Sequence, residues 1–221
     1  DFFKAEVNFK KISSQRVTTL TKEEQDFLDN EVNQLCEMTT DWEIFQQRDL
    51  SPQVWQFIKD KKFFGMIIPK EYGGLGFSAT AHSKVIEKLV SRSQVLAITI
   101  MVPNSLGPAE LILKHGTQNQ KDKYLSDLAH GIQVPCFGLT EPNAGTDAAG
   151  QQTTAVLDGD EYVINSTKIF ITNAGEADVY VIFAMTDKTK GTRGISAFIL
   201  EKGTPGFTFG LHEKKLGIRG S

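Results

Sequence analysis

The sequence predicts an α+β protein, with an all-helical N-terminal domain (residues 1–131) followed by a mainly antiparallel, β-barrel-like domain (residues 132–221). Three observations predict it. Helix signals occupy the first block almost exclusively. Past Gly131 the texture becomes β-branched and aromatic, with short turns between runs. Helices and strands also fall into separate blocks rather than alternating, which argues against βαβ units.

In the first block, Thr21 and Glu24 have the Thr-x-x-Glu spacing of a capping box, ahead of Phe27, Leu28, Val32 and Leu35 at helical spacing. Ser51-Pro52 supplies an N-cap and a first-turn proline for a helix carrying Val54, Trp55 and Ile58, with Gly65 as its stop. "MIIPKEYGGLG" is irregular. Helices then follow over 79–91, over 94–101 (broken by Pro103), over 105–115 (ended by Gly116), and from a second capping pattern, Thr117 with Gln120, to about His130. In the second block "VPCFGLT", "QTTAVLDGDEYVINSTKIFIT", "DVYVIFAMT", "GISAFILE" and "FTFGLHE" read as strands, and Asp158-Gly159 as a tight hairpin. "DKTKGTRG" reads as an exposed basic connector.

With 221 residues and 40% hydrophobic content the chain can build real cores, and a net charge of -3 argues against a nucleic-acid or anionic-membrane surface. "VLAITIMV" and "VYVIFAM" fall short of the ~18 apolar residues of a membrane helix and read as core elements. The first residues are charged and lack the apolar run of a leader. Cys36 and Cys136 are not paired by any pattern, so reduced thiols in the cytoplasm are expected.

His82, His115, His130 and His212 lack metal-ligand spacing, so no metal is expected. No phosphate-binding glycine loop and no Gly-x-Ser-x-Gly elbow is present. The stretch Thr140–Asp147, Thr-Glu-Pro-Asn-Ala-Gly-Thr-Asp, reads either as a simple turn or as a binding edge of small and hydroxyl-bearing residues. Within it Glu141 reads as a solvated loop acid rather than a proton-transfer group. Thr140 closes "FGLT" and Thr172 closes "KIFIT". Two neighbouring strand ends bearing threonine would offer donors to a flat heterocycle, with Phe170 as an apolar wall.

"FGLTEPNAGTD" together with "KIFITNAGEAD" resembles the acyl-CoA dehydrogenases, flavoenzymes that form the α,β double bond of acyl-CoA thioesters. "GMIIPKEYGGLG", "NSLGPAELILKHGTQNQKDKYL" and "GTPGFTFGLHEKKLGIRGS" resemble further segments of that family, in the same order. The resemblance implies FAD as cofactor, acyl-CoA as substrate, an electron-transfer flavoprotein as acceptor and a homodimer or homotetramer when complete. It implies that Phe137–Thr146 lines the flavin, with Thr140 and the backbone at Leu139 at the pyrimidine edge and Gly145 shaping the loop. Thr172, after Phe170 and Ile171, would approach flavin N5, and Thr146 the CoA portion. Asn104 and Leu106 would stand beside the acyl chain. The family's catalytic base would lie beyond Ser221, in a C-terminal helical domain absent from this chain, so no residue here inherits that role. Without that domain, helix faces such as Leu96–Val102 are expected to be poorly covered. Thr19–Phe137 resembles bacterial long-chain members of the family, and the chain from Gly138 onward bacterial butyryl-CoA dehydrogenases, leaving acyl length open. An acyl-CoA oxidase and a non-catalytic flavin- or acyl-CoA-binding module remain alternatives.

Overall fold

The computed structural model describes residues 6–14, 18–105 and 107–220. Helices α1 (Phe9–Ser13), α2 (Lys22–Asp29), α3 (Glu31–Glu37), α4 (Asp41–Gln47), α5 (Pro52–Asp60), α6 (Ala79–Arg92), α7 (Gln94–Ser105), α8 (Pro108–His115) and α9 (Gln118–Ala129) come first. Strands β1 (Pro135–Gly138), β2 (Thr154–Asp158), β3 (Glu161–Asn165), β4 (Val179–Met185) and β5 (Ile195–Glu201) follow.

Local chemistry starts the helices where the sequence places them. At α2 the Glu24 N–H donates to Thr21 Oγ1 (3.3 Å) while the Thr21 N–H donates to Glu24 Oε2 (2.8 Å), a complete capping box. The same reciprocal pair joins Thr117 and Gln120 at α9. Ser51 caps α5 and Ser78 caps α6. Glu24 does more than cap its own helix, because its Oε1 accepts the Ser78 N–H at 2.7 Å and so stitches the starts of α2 and α6 together.

Gly65 does not stop α5. That helix ends at Asp60, and Lys62 takes the left-handed turn at φ 59°. Gly65 is instead required by close approach: a Cβ there would sit 2.8 Å from the Ala129 backbone of α9.

Helix α7 is the centre of the molecule. Val95, Leu96, Ala97 and Ile100 are buried, in one cluster with Phe63 and Phe64 of the helical half and with Cys136, Tyr180 and Ile182 of the sheet. The expected poor cover of Leu96–Val102 is corrected in part: Leu96 and Ile100 are wholly covered, because the sheet itself packs on this helix, whereas Ile98, Met101 and Val102 stay half-buried. By length and composition Gln94–His115 is apolar enough to cross a membrane, but 65% of its most apolar window is buried inside the protein, as a core helix requires.

The sheet is mainly antiparallel, as expected, but mixed, because β4 also takes parallel neighbours. β4 runs parallel to β1 (Pro135↔Val179 to Gly138↔Ile182) and meets the start of β2 in parallel at Thr154↔Met185. It is antiparallel to β5 over its whole length, and β2 and β3 form an antiparallel hairpin. Among the described residues the path β1-β4-β2-β3, with β5 on the other edge of β4, is open and does not close into a barrel. The hairpin loop is Gly159-Asp160, with φ 61° at Gly159. "FTFGLHE" forms no strand; Phe207 and Phe209 pack on Tyr180 with ring centroids 4.8 and 5.7 Å away.

Candidate functional site

The site grows from the end of β1. Past Gly138 the chain turns tightly about Pro142, held by Glu141 N–H to Ala144 O (3.1 Å) and Ala144 N–H to Glu141 O (3.2 Å). Beside it runs Lys168–Thr172. This stretch is not the strand that its apolar alternation suggests. One backbone bond, Ile169 N–H to Thr140 O (2.9 Å), joins it to the β1 extension. Phe170 (φ 56°) and Asn173 (φ 61°) then turn left-handed and break the extended path. Each such non-glycine residue costs roughly 1–2 kcal/mol, so the surroundings must enforce it.

The enforcement is visible at both ends. Glu141, 5% exposed, lies under the turn and accepts from the Gln152 N–H (2.6 Å), the Thr153 N–H (3.1 Å) and the Thr153 hydroxyl. It also pairs with Lys168 Nζ at 2.7 Å. The ammonium donates as well to Leu139 O (3.1 Å) and Gln151 Oε1 (3.2 Å), which uses all three of its protons. Burial pushes the Glu141 carboxyl up, but the Lys168 ammonium and the Thr153 and Gln152 donors outweigh it and hold the pKa at about 2. Burial draws Lys168 below the usual lysine value, and Glu141 opposes that. At the other end Asn173 Nδ2 donates to Thr99 O on α7 at 3.2 Å. In between, Cys136 Sγ donates to Thr172 O (3.3 Å), and burial pushes this thiol up to about 12, leaving it inert near neutral pH.

What the clamp leaves free defines the site. Thr140 and Thr172 are half-buried, and among the described residues neither hydroxyl makes a hydrogen bond. The Phe170, Ile171 and Thr172 N–H groups are likewise unpaired among those residues. Phe170 is 66% exposed. Unpartnered hydroxyls and amides beside an exposed aromatic ring fit a planar ligand that carries both acceptors and donors.

The other sequence candidates separate. Leu139 contributes its carbonyl to the clamp. Ile171 packs on the core cluster shared by α7 and the sheet, and Phe137 packs edge-on against Phe183 at 5.2 Å. Gly145 and Thr146 are exposed, with nothing within 4 Å of a Cβ placed on Gly145. Asn104 is wholly buried, donating to Phe63 O (2.7 Å) and Ile100 O (2.9 Å). Leu106 lies outside the described residues. Glu141 is not a solvated loop acid but a buried carboxylate engaged by Gln152, Thr153 and Lys168, an arrangement that speaks for a structural role over proton removal. Sequence reasoning missed Lys168 and Asn173; the available signal was a lone lysine opening an apolar run.

Residues 15–132 match the family model "Acyl-CoA dehydrogenase, N-terminal domain", and residues 136–221 match "Acyl-CoA dehydrogenase, middle domain". The chain is 48% identical over 200 residues to a short-chain specific acyl-CoA dehydrogenase of Clostridium acetobutylicum, covering 89% of this chain and 50% of that protein. That likeness runs through the helical half as well as the sheet half. The solved butyryl-CoA dehydrogenase of Megasphaera elsdenii superimposes with a TM-score of 0.85 at 40% identity, over 93% of this chain and 55% of the other. A chain from the electron transferring flavoprotein structure of Acidaminococcus fermentans gives a TM-score of 0.83 at 43% identity, over 93% of this chain and 54% of the other. The chain thus spans about half the length of the proteins it matches.

Proposed function

This chain belongs to the acyl-CoA dehydrogenase family, and from that premise we propose that it carries the FAD-contacting part of an enzyme that dehydrogenates short-chain acyl-CoA thioesters. The observation that carries the reading is the pair of half-buried hydroxyls, Thr140 and Thr172, unpartnered among the described residues, on two segments locked to each other by Ile169 N–H to Thr140 O. When bound, FAD supplies the two-electron acceptor chemistry that no side chain can provide. Thr140 orients the polar edge of the ring, while Thr172 and the N–H groups of 170–172 hold its reactive edge. Phe170 excludes water from one side. Thr146, exposed at the loop rim, meets the CoA moiety.

Glu141 takes no part in proton removal, so the base comes from outside the residues assigned here. The dehydrogenase reading is preferred to the oxidase because the relatives above are named dehydrogenases and an electron transferring flavoprotein. That last likeness also supports an electron-transfer flavoprotein as acceptor; assembly into a homodimer or homotetramer is proposed from family membership alone. The test is direct. The full-length protein should purify yellow with FAD, and butyryl-CoA should bleach its absorbance and then an electron-accepting dye. A colourless protein that takes up no added FAD would refute the reading.

A further inference from the structure

Residues 169–172 are held like a strap between two anchors. The first is Lys168, whose Nζ is shared among Glu141, Leu139 O and Gln151 in the sheet half. The second is Asn173, whose side chain reaches Thr99 O on α7, in the helical half. Asn173 O also accepts the Glu176 (3.1 Å) and Ala177 (2.9 Å) N–H groups, so its backbone is pinned as well. Between the anchors Phe170 is held left-handed, a conformation an aromatic residue keeps only when its surroundings impose it. The left-handed state at Asn173 serves the same end, since asparagine tolerates it better than most residues while still carrying a donor.

We infer that Lys168 and Asn173 are positioning residues, which fix the Thr172 hydroxyl relative to Thr140 by tying one end of its strap to the buried Glu141 and the other to helix α7. The inference rests on the flavin reading and adds to it a mechanical link: a shift of α7 moves the strap that faces the ring. Neither anchor touches the flavin; both act through Thr172.

The experiment uses the full chain, titrated with FAD, as wild type, Asn173→Gly and the double variant Glu141→Gln/Lys168→Met. Glycine adopts φ 61° without strain, so Asn173→Gly removes the tether while relieving backbone cost. The double variant removes both charges together, so no lone ion is left buried. The readouts are apo melting temperature, FAD dissociation constant, and the visible circular dichroism and midpoint potential of bound flavin. In Asn173→Gly the apo melting temperature is unchanged, the FAD dissociation constant rises about tenfold, and the dichroism and potential of the bound flavin shift. The double variant shifts the same two signatures. If either variant's bound flavin keeps wild-type dichroism and potential, so that affinity falls only with the folded fraction, the anchors are merely structural and the inference is overturned. A wild-type chain that binds no FAD removes the flavin reading itself, before any variant is compared.

Discussion

Glu24 in the helical half and Glu141 in the sheet half are equally withdrawn from solvent, 5% exposed each. For both, burial pushes the pKa up and hydrogen bonds win, leaving it at about 2. They reach that state differently. Glu24 is satisfied by the Thr21 and Ser78 N–H groups at two helix starts and has no cationic partner among the described residues. Glu141 is satisfied by Lys168 as well as by loop N–H groups. In the helical half, capping consumes the nearby hydroxyls: Thr21 and Ser78 both accept from helix N–H groups. In the sheet half the clamp holds two segments rigid and leaves Thr140 and Thr172 unconsumed. A buried carboxylate completes structure in the first case and frees functional groups in the second.

Breaking the ion pair is the harshest test of that difference. Lys168→Met alone leaves Glu141 buried without its cation and is expected to destabilise the fold by about 3–5 kcal/mol in chemical denaturation. A loss below about 1 kcal/mol, within the range of an exposed pair, would place the pair at the surface and dissolve the comparison.

Acid acts on both carboxylates alike. Their folded pKa values lie below the ordinary 4.5, so the stability they confer is present above pH 4.5 and is lost as pH falls towards 2. Each contributes on the order of 3 kcal/mol at neutral pH. Denaturant midpoints measured from pH 6 down to pH 2 should drop through that window, and Glu141→Gln should flatten the drop by about half.

A smaller effect separates the two regions. Glu24→Gln keeps an acceptor at the helix start but loses its charge, an expected cost of about 2–3 kcal/mol, as the acid effect implies. FAD affinity should be untouched, because Glu24 holds only helix starts. A flavin effect from this variant would mean that the helical clamp, too, serves the site.

The legible part of the molecule is its local part. Both capping boxes could be read because their partners lie three residues apart. The partners of Glu141 lie 11 to 27 residues away, and no local pattern brings Lys168 to it. The parallel pairing of β1 with β4 was hidden for the same reason: short apolar β runs do not announce the direction of a distant partner. Lys168–Thr172 alternates like a strand, and the left-handed turn at Phe170 that ends it has no signature in an aromatic residue. Thr140 and Thr172 could be singled out from the sequence, but their freedom from hydrogen bonds is a property of the fold. Asn104 shows that a polar residue can be read from the sequence while its partners, Phe63 O and Ile100 O in the core, cannot.

Thr140→Val/Thr172→Val puts the central claim to one measurement, FAD affinity set beside folding stability. Valine keeps the shape, and among the described residues neither hydroxyl has a partner to lose, so unfolding free energy should stay within about 0.5 kcal/mol of wild type. FAD binding should weaken by roughly 10- to 100-fold by calorimetric titration, as two lost hydrogen bonds imply. A variant that loses stability yet binds FAD as tightly as wild type would contradict the account, because the two hydroxyls would then belong to the fold and not to the ligand.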